Sequence, residues 1–263
     1  MNRILPLPSA CNFRDFGGYE TRDGRRVRWG RLYRSGALAP LSAEDLERVR
    51  ALGARAVLDL RRADERLVAP NPDLGPEVIE WHWAEGEERS PIAGRNFPPQ
   101  VDPAVVRAAM LAMYGEMWQS LRTRLRGVFG GLADAAGAPV ILHCTVGKDR
   151  TGIAAALVLT ALGVPRGRVL EDYVLTNEAV DLEERLARGV AGAVGGLGLA
   201  ESTRHLLRLP SEVRAMVLRA DPDYLEAAFA GMEREFGGVE AYLERALGVD
   251  AAARERLAGE LLE

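Results

Sequence analysis

A strand, a short loop and a buried helix follow one another at residues 140–162, and this succession constrains the chain more than any other feature. The run 140–142 is short and apolar, which predicts a buried strand. The segment 144–150 reads as a loop, and the apolar run 153–162 is long enough for a buried helix. Such a loop can bind an anion, because the free N–H groups and the dipole of the helix N-terminus are directed at it.

The residues within this loop suit a guest of phosphate size. Cys144 and Arg150 are separated by five residues, so the loop can wrap one tetrahedral oxyanion. Arg150 offers a planar fork of donors for two oxygens. Arg150, Lys148 and the backbone amides all favour the thiolate of Cys144, which is the nucleophilic form. Thr151 can donate its hydroxyl to the sulfur and help it to leave in a second step.

Lys148 separates this loop from a nucleotide-binding P-loop. In that motif, serine or threonine follows the Gly-Lys pair, whereas here Asp149 follows Gly147-Lys148. Lys148 is also the only lysine among the 34 Lys and Arg residues of the chain. A lysine kept in an otherwise arginine-only sequence indicates that the loop needs a compact point charge.

Composition restricts the remaining possibilities. The chain has 263 residues, 48% of them hydrophobic, and no linker or low-complexity tract, which predicts one domain over residues 1–263. The net charge is −4 and arginines alternate with acidic residues, as in 61–66, which argues against a nucleic-acid partner. No apolar stretch reaches the ~18 residues of a membrane span, and the N-terminus does not resemble a signal peptide. Two cysteines make no disulfide framework, so we expect a cytoplasmic protein.

Local patterns predict several other elements. Ser42 and Asp45 form a capping box for a helix over 42–52, and 56–60 reads as a buried strand. The alternation in 78–83 is typical of an edge strand. Asp102-Pro103 is expected to begin one long helix to about residue 129, and a helix is expected from Pro165. An apolar stripe on the long helix predicts a core seam formed by Val106, Met110, Met113, Met117 and Leu121.

The segment 143–152 (HCTVGKDRTG) resembles the signature of cysteine-dependent protein tyrosine phosphatases. It is most similar to the bacterial branch with Gly-Lys-Asp-Arg in the loop, which includes secreted mycobacterial and listerial tyrosine and lipid phosphatases. This resemblance implies secretion without an obvious signal as the alternative to the cytoplasm. Other parts of the chain also look like that branch, namely 12–19, 32–35, 58–61, 171–173 with Asn177, and 238–243.

The resemblance implies both a fold and a reaction. The fold is α/β and tyrosine phosphatase-like, with a short, mainly parallel central sheet flanked by many helices. Its pocket lies at the C-terminal edge of the strands. In the helical C-terminal half, the segment 190–200 is expected to be either a lid over the site or a loose connector. The reaction is hydrolysis of phosphate monoesters through a phosphocysteine, without a metal or other cofactor. Phosphotyrosine in proteins is the expected substrate, with phosphoserine, phosphothreonine and phosphoinositides as further ones and inorganic phosphate as product.

The resemblance also assigns roles to residues. Cys144, Arg150 and Asp149 are the expected catalytic residues, with Asp149 as the first candidate for the general acid. Glu85 and then Asp59 are the alternatives for that acid. The cation of Lys148 is expected at the pocket rim, where it would favour substrates with several phosphates. The expected phosphate-binding residues are Thr145, Val146, Gly147, Lys148, Arg150 and Thr151, and the expected braces of the loop are Asn12, Arg14 and Asp15.

Other classes of protein stay open on the sequence alone. One is a phosphate-binding module with little catalytic activity, and another is a different Cys-loop enzyme such as an arsenate reductase or a sulfur transferase. A further hypothesis concerns Cys11, which could protect Cys144 as a reversible disulfide if the two residues lie close together.

Overall fold

The computed structural model describes residues 2–75, 77–82, 97–98, 100–191 and 204–263. Five strands form one sheet: β1 Arg14–Asp15, β2 Leu32–Ser35, β3 Ala56–Asp59, β4 Ile79–Trp81 and β5 Val140–His143. The helices before the centre of the chain are α1 Ala43–Arg50, α2 Ala63–Val68, α3 Pro103–Ser120 and α4 Arg122–Ala135. Those that follow β5 are α5 Asp149–Ala161, α6 Arg166–Val174, α7 Thr176–Ala179, α8 Leu182–Ala191, α9 Ser211–Leu218, α10 Pro222–Phe236, α11 Val239–Leu247 and α12 Ala251–Leu261.

The sheet has the order β1-β2-β5-β3-β4, and the predicted α/β fold with a short, mainly parallel sheet is confirmed. Neighbours among β2, β5, β3 and β4 pair in parallel, and only β1 is antiparallel to its neighbour β2. The predicted strand 140–142 is therefore central. In the register, Ser35 and Asp59 both lie opposite His143. The C-terminal ends of three strands thus meet where the loop begins.

Helix α5 packs into the core because its side chains are small or apolar. Every residue from 151 to 159 is buried. Gly152 permits the closest contact, since a Cβ there would lie 2.8 Å from Cδ2 of Tyr173 on α6. The predicted stripe from Val106 to Leu121 is also buried, as expected for a core seam.

Two local predictions are wrong. The long helix is divided at Leu121 into α3 and α4. Ser42 caps α1 by accepting from the backbone N of Asp45 at 3.2 Å, but the Asp45 carboxylate bonds to Ser9 instead of completing a capping box.

No helix in the described ranges is sufficiently long and apolar to cross a bilayer. The segment 192–203, where a lid or a loose connector is expected, lies outside the described residues.

Candidate active site

The loop 144–148 connects the central strand β5 to helix α5. Cys144 follows the last strand residue and is 1% exposed, at the base of the loop. Gly147 has a φ of +70°, and a Cβ at this position would lie 2.6 Å from the carbonyl of Ser35. Only glycine fits such a backbone so close to β2. Thr151 lies in the first turn of α5, and its buried hydroxyl has no hydrogen-bond partner in the described part of the chain.

Arg150 lies in the first turn of α5 and is fixed by the carboxylate of Glu65, on the short helix α2 that follows β3. Its Nη1 and Nη2 donate to the two carboxylate oxygens of Glu65 at 2.6 and 2.8 Å. Nη1 also donates to the Leu60 carbonyl at 3.2 Å, and Nη2 to Thr145 Oγ1 at 3.0 Å. Because Thr145 is within the loop, the guanidinium is held beside it. These four bonds use all the Nη–H donors, so Nε–H is the one guanidinium donor without a hydrogen bond to another of the described residues.

Glu65 is a site residue that the sequence analysis missed. It is at the start of α2, and its carboxylate also accepts from Thr145 Oγ1 at 2.5 Å and from the Arg62 backbone N at 2.8 Å. Burial alone would raise the pKa of Glu65, but the hydrogen bonds and charge of Arg150 hold this pKa at about 2. No local sequence pattern indicated this role, because it follows from the parallel pairing of β3 and β5, which brings the start of α2 beside the loop after β5.

We expect Glu65→Gln to lower kcat/KM for p-nitrophenyl phosphate by about 10- to 100-fold, because an amide cannot hold both sides of the Arg150 fork. Steady-state kinetics measure this. Asp64→Asn is the matched control, since Asp64 is a neighbouring acid on α2 whose carboxylate accepts from the Arg62 side chain and not from Arg150. Equal activity of the two variants would contradict the role of Glu65.

The same substitution should change acid stability. The pKa of Glu65 is about 2 in the fold against an ordinary 4.5, so the ionised form stabilises the fold above about pH 4.5. This stabilisation is lost as the pH falls through about 2. Glu65→Gln should therefore unfold more easily than the wild type at neutral pH, and the difference should shrink in acid.

Lys148 does not lie at the pocket rim, so that expectation is wrong. Its side chain is 2% exposed, and Nζ donates to the Val217 carbonyl in the last turn of α9. The ammonium also lies 3.5 Å from the Arg219 carbonyl and 3.3 Å from Asp149 Oδ1. The cation thus caps a helix C-terminus, where free carbonyls and the helix dipole attract positive charge.

Asp149 is the first residue of α5, and its side chain is 15% exposed. Its Oδ1 accepts from the hydroxyl of Tyr114, which is itself 2.6 Å from the hydroxyl of Tyr173. Burial, and secondarily the charge of Asp149, raise the pKa of both tyrosines well above the ordinary value. Tyr114 is therefore a neutral donor at physiological pH, and together with Lys148 it orients one oxygen of the Asp149 carboxylate.

The two alternative acids are placed differently. Asp59 is fully buried, and both of its oxygens accept from the Arg61 guanidinium at 2.7–3.1 Å. Burial would raise the pKa of Asp59, but His143, at 3.6 Å, and Arg61 lower it to about 2. Such a carboxylate braces the sheet edge and has no proton to deliver at neutral pH. Glu85 lies outside the described residues.

The residues expected to brace the loop from the N-terminal segment contact different parts of the structure. Asn12 Nδ2 donates to the carbonyls of Gly147, at 2.8 Å, and Val146, at 3.4 Å. Arg14 donates to Asn12 Oδ1 and so acts on the loop indirectly. Asp15 does not contact the loop: its oxygens accept from the backbone N–H groups of residue 17, at 2.7 Å, and residue 30, at 2.6 Å. Asn12 thus contacts the loop directly and Arg14 through Asn12, their role as braces stays a prediction, and Asp15 binds backbone N–H groups away from the loop.

Cys11 lies beside the loop, with Sγ 3.7 Å from the Val146 carbonyl, and both cysteines are free. Burial is the main cause that raises the pKa of Cys11 to about 11. This thiol is therefore protonated at neutral pH and attacks slowly in disulfide exchange. Pairing of Cys11 with Cys144 on oxidation stays a prediction.

A cysteine at the base of a loop, an arginine clamped beside it and a helix N-terminus behind it define an anion site of the Cys-loop class. The sequence model described as the tyrosine phosphatase family matches residues 5–263. The chain therefore belongs to the tyrosine phosphatase family and is a hydrolase acting on phosphoric monoesters.

Three relatives extend over most of the chain. A protein of Cupriavidus necator named "Putative tyrosine-protein phosphatase" is 37% identical over 94% of this chain and 85% of its own length. The triple specificity protein phosphatase PtpB of Mycobacterium tuberculosis is 29% identical over 98% of this chain and 99% of its own length. A tyrosine-protein phosphatase of Nostoc commune is 26% identical over 85% of this chain and 71% of its own length.

Proposed function

We propose that this phosphatase works through a phosphocysteine on Cys144, with phosphotyrosine in proteins as its main substrate. The observation that supports this most is the clamp of Arg150 by Glu65, which fixes a guanidinium beside the loop that begins at Cys144. A fixed cation and the loop amides can stabilise the charge of the equatorial oxygens in the transition state without reorganisation. We extend the proposal to phosphoserine, phosphothreonine and phosphoinositides, in keeping with the triple specificity that the name of PtpB states.

The reaction consists of two displacements. First, the Cys144 thiolate attacks phosphorus, the P–O ester bond breaks, and Asp149 protonates the leaving oxygen. Water then attacks the phosphocysteine, Asp149 accepts its proton, and inorganic phosphate leaves as the S–P bond breaks. Tyr114 donates to Asp149 Oδ1, and the Lys148 ammonium lies 3.3 Å from the same oxygen, so the two groups orient the Asp149 side chain for both steps. The buried Thr151 hydroxyl is available to stabilise the departing thiolate.

We place this activity in the cytoplasm, where a reducing environment keeps Cys144 in its active form. The test is a turnover panel of p-nitrophenyl phosphate, phosphotyrosine, phosphoserine and phosphothreonine peptides, and phosphoinositides, each with excess EDTA. Turnover of p-nitrophenyl phosphate and the phosphotyrosine peptide should survive chelation, because Arg150 and the loop amides supply the positive field. Loss of all activity on chelation, or preference for arsenate or a sulfur donor over every phosphoester, would refute the proposal.

A further inference from the structure

Three consecutive carbonyls of the loop are held by groups outside it. The Thr145 carbonyl accepts from the backbone N of Ala37 at 3.0 Å. The Val146 carbonyl accepts from Asn12 Nδ2 at 3.4 Å. The Gly147 carbonyl accepts twice, from Asn12 Nδ2 at 2.8 Å and from Arg34 Nη2 at 3.0 Å. Every one of these donors comes from the N-terminal part of the chain.

These bonds determine the direction of the loop amides. In a planar trans peptide, the N–H of the next residue points opposite to the carbonyl. A carbonyl drawn outward at positions 145, 146 and 147 therefore turns the N–H groups of residues 146, 147 and 148 the other way. That direction is the interior of the loop, where a phosphate would be bound.

Arg34 is the charged member of this set, and it is completely buried. Its Nη1 pairs with Asp172 on α6, so the guanidinium connects α6 to the Gly147 carbonyl. Arg14 contacts the same carboxylate at 3.6 Å, and its side chain is also completely buried. Two guanidinium groups against one carboxylate leave net positive charge behind the loop, in a region of low dielectric where charge acts strongly.

We infer that Arg34 is a positioning residue for phosphate binding: through the Gly147 carbonyl it directs the Lys148 amide at the bound anion. Asn12 shares this carbonyl, and its backbone has a φ of +57°. Asparagine is one of the few non-glycine residues that adopt this left-handed conformation readily. The inference rests on the anion site proposed above.

The test measures anion binding rather than turnover alone. Arg34→Met should weaken the binding of inorganic phosphate by about tenfold in calorimetry, because one amide is no longer directed and the buried charge is lost. For p-nitrophenyl phosphate, KM should rise and kcat should fall together. Arg34→Lys keeps the charge and one donor, so it should restore part of the phosphate affinity. A merely structural defect would reduce the active fraction, which lowers kcat and leaves KM unchanged.

Arg166→Met is the matched control, because it also removes ion pairs, with Glu226 and Glu233, but these lie between α6 and α10. It should bind phosphate as the wild type does. If Arg34→Met does not fold, Arg34→Gln provides the second measurement, since glutamine keeps a polar end in the buried site but lacks the charge and the reach of the guanidinium. Phosphate affinity within about twofold of wild type in either folded variant would overturn this inference and leave the proposed function intact. A wild-type protein that binds no phosphate would overturn the proposed function as well.

Discussion

Cys144→Ser is expected to lower the turnover of p-nitrophenyl phosphate by at least about 10⁴-fold, because the reaction loses its nucleophile. A serine hydroxyl is nearly the same size as the thiol, but it does not ionise readily in the same surroundings. The loop carbonyls are held from outside by Asn12 and Arg34, which the substitution does not touch. The variant should therefore still bind phosphate in calorimetry, and it should form stable complexes with phosphotyrosine peptides.

Cys11→Ser is the matched control, since Cys11 is the other buried thiol of the chain. Its turnover should stay within about threefold of wild type, because serine keeps a donor for the neighbouring carbonyl. Rapid quenching with ³²P-labelled substrate adds a direct readout. Acid-stable label should appear on the wild type and on Cys11→Ser, and should be missing from Cys144→Ser. Label that persists without Cys144 would show that another group is the nucleophile.

The sequence was sufficient to predict the parts of the site that are local. Strand, loop and helix at 140–162 follow from a short apolar run, a glycine and a longer apolar run, and the structure has all three. The apolar stripe from Val106 to Leu121 was also predictable, because the spacing of apolar residues determines which side of a helix is buried. Asn12 was correctly expected to lie beside the loop, but only through a family resemblance and not through its own chemistry.

The remaining parts depend on contacts between distant segments. Glu65 reaches Arg150 only because β3 and β5 are neighbours in the sheet, so its local role as a helix-capping residue hid its second partner. Lys148 is buried because α9 ends above it, and the distance of 69 residues along the chain gives no signal of this contact. Arg34 reads as a strand residue, and its function depends on Asp172, which is 138 residues away. The spacing of apolar residues along the chain cannot predict such contacts between charged residues of distant segments.

Asp149→Asn is expected to lower kcat by about 10²–10⁴-fold for substrates with poor leaving groups, such as phosphoserine peptides, because general acid catalysis typically contributes this much. The loss should be much smaller for p-nitrophenyl phosphate, whose leaving group needs little protonation. Asparagine has the same shape and can still accept from Tyr114, so the fold and the loop should be retained. The measurement is the ratio of kcat between the two substrates for each variant.

The pH profile gives an independent readout of the same role. The wild type should lose activity at high pH as the acid becomes deprotonated, and this alkaline limb should disappear in Asp149→Asn. Asp134→Asn, an exposed acid on α4, serves as the control and should keep the wild-type profile. An unchanged substrate ratio in Asp149→Asn, together with a large loss for poor leaving groups in Glu85→Gln, would transfer the role of general acid to Glu85.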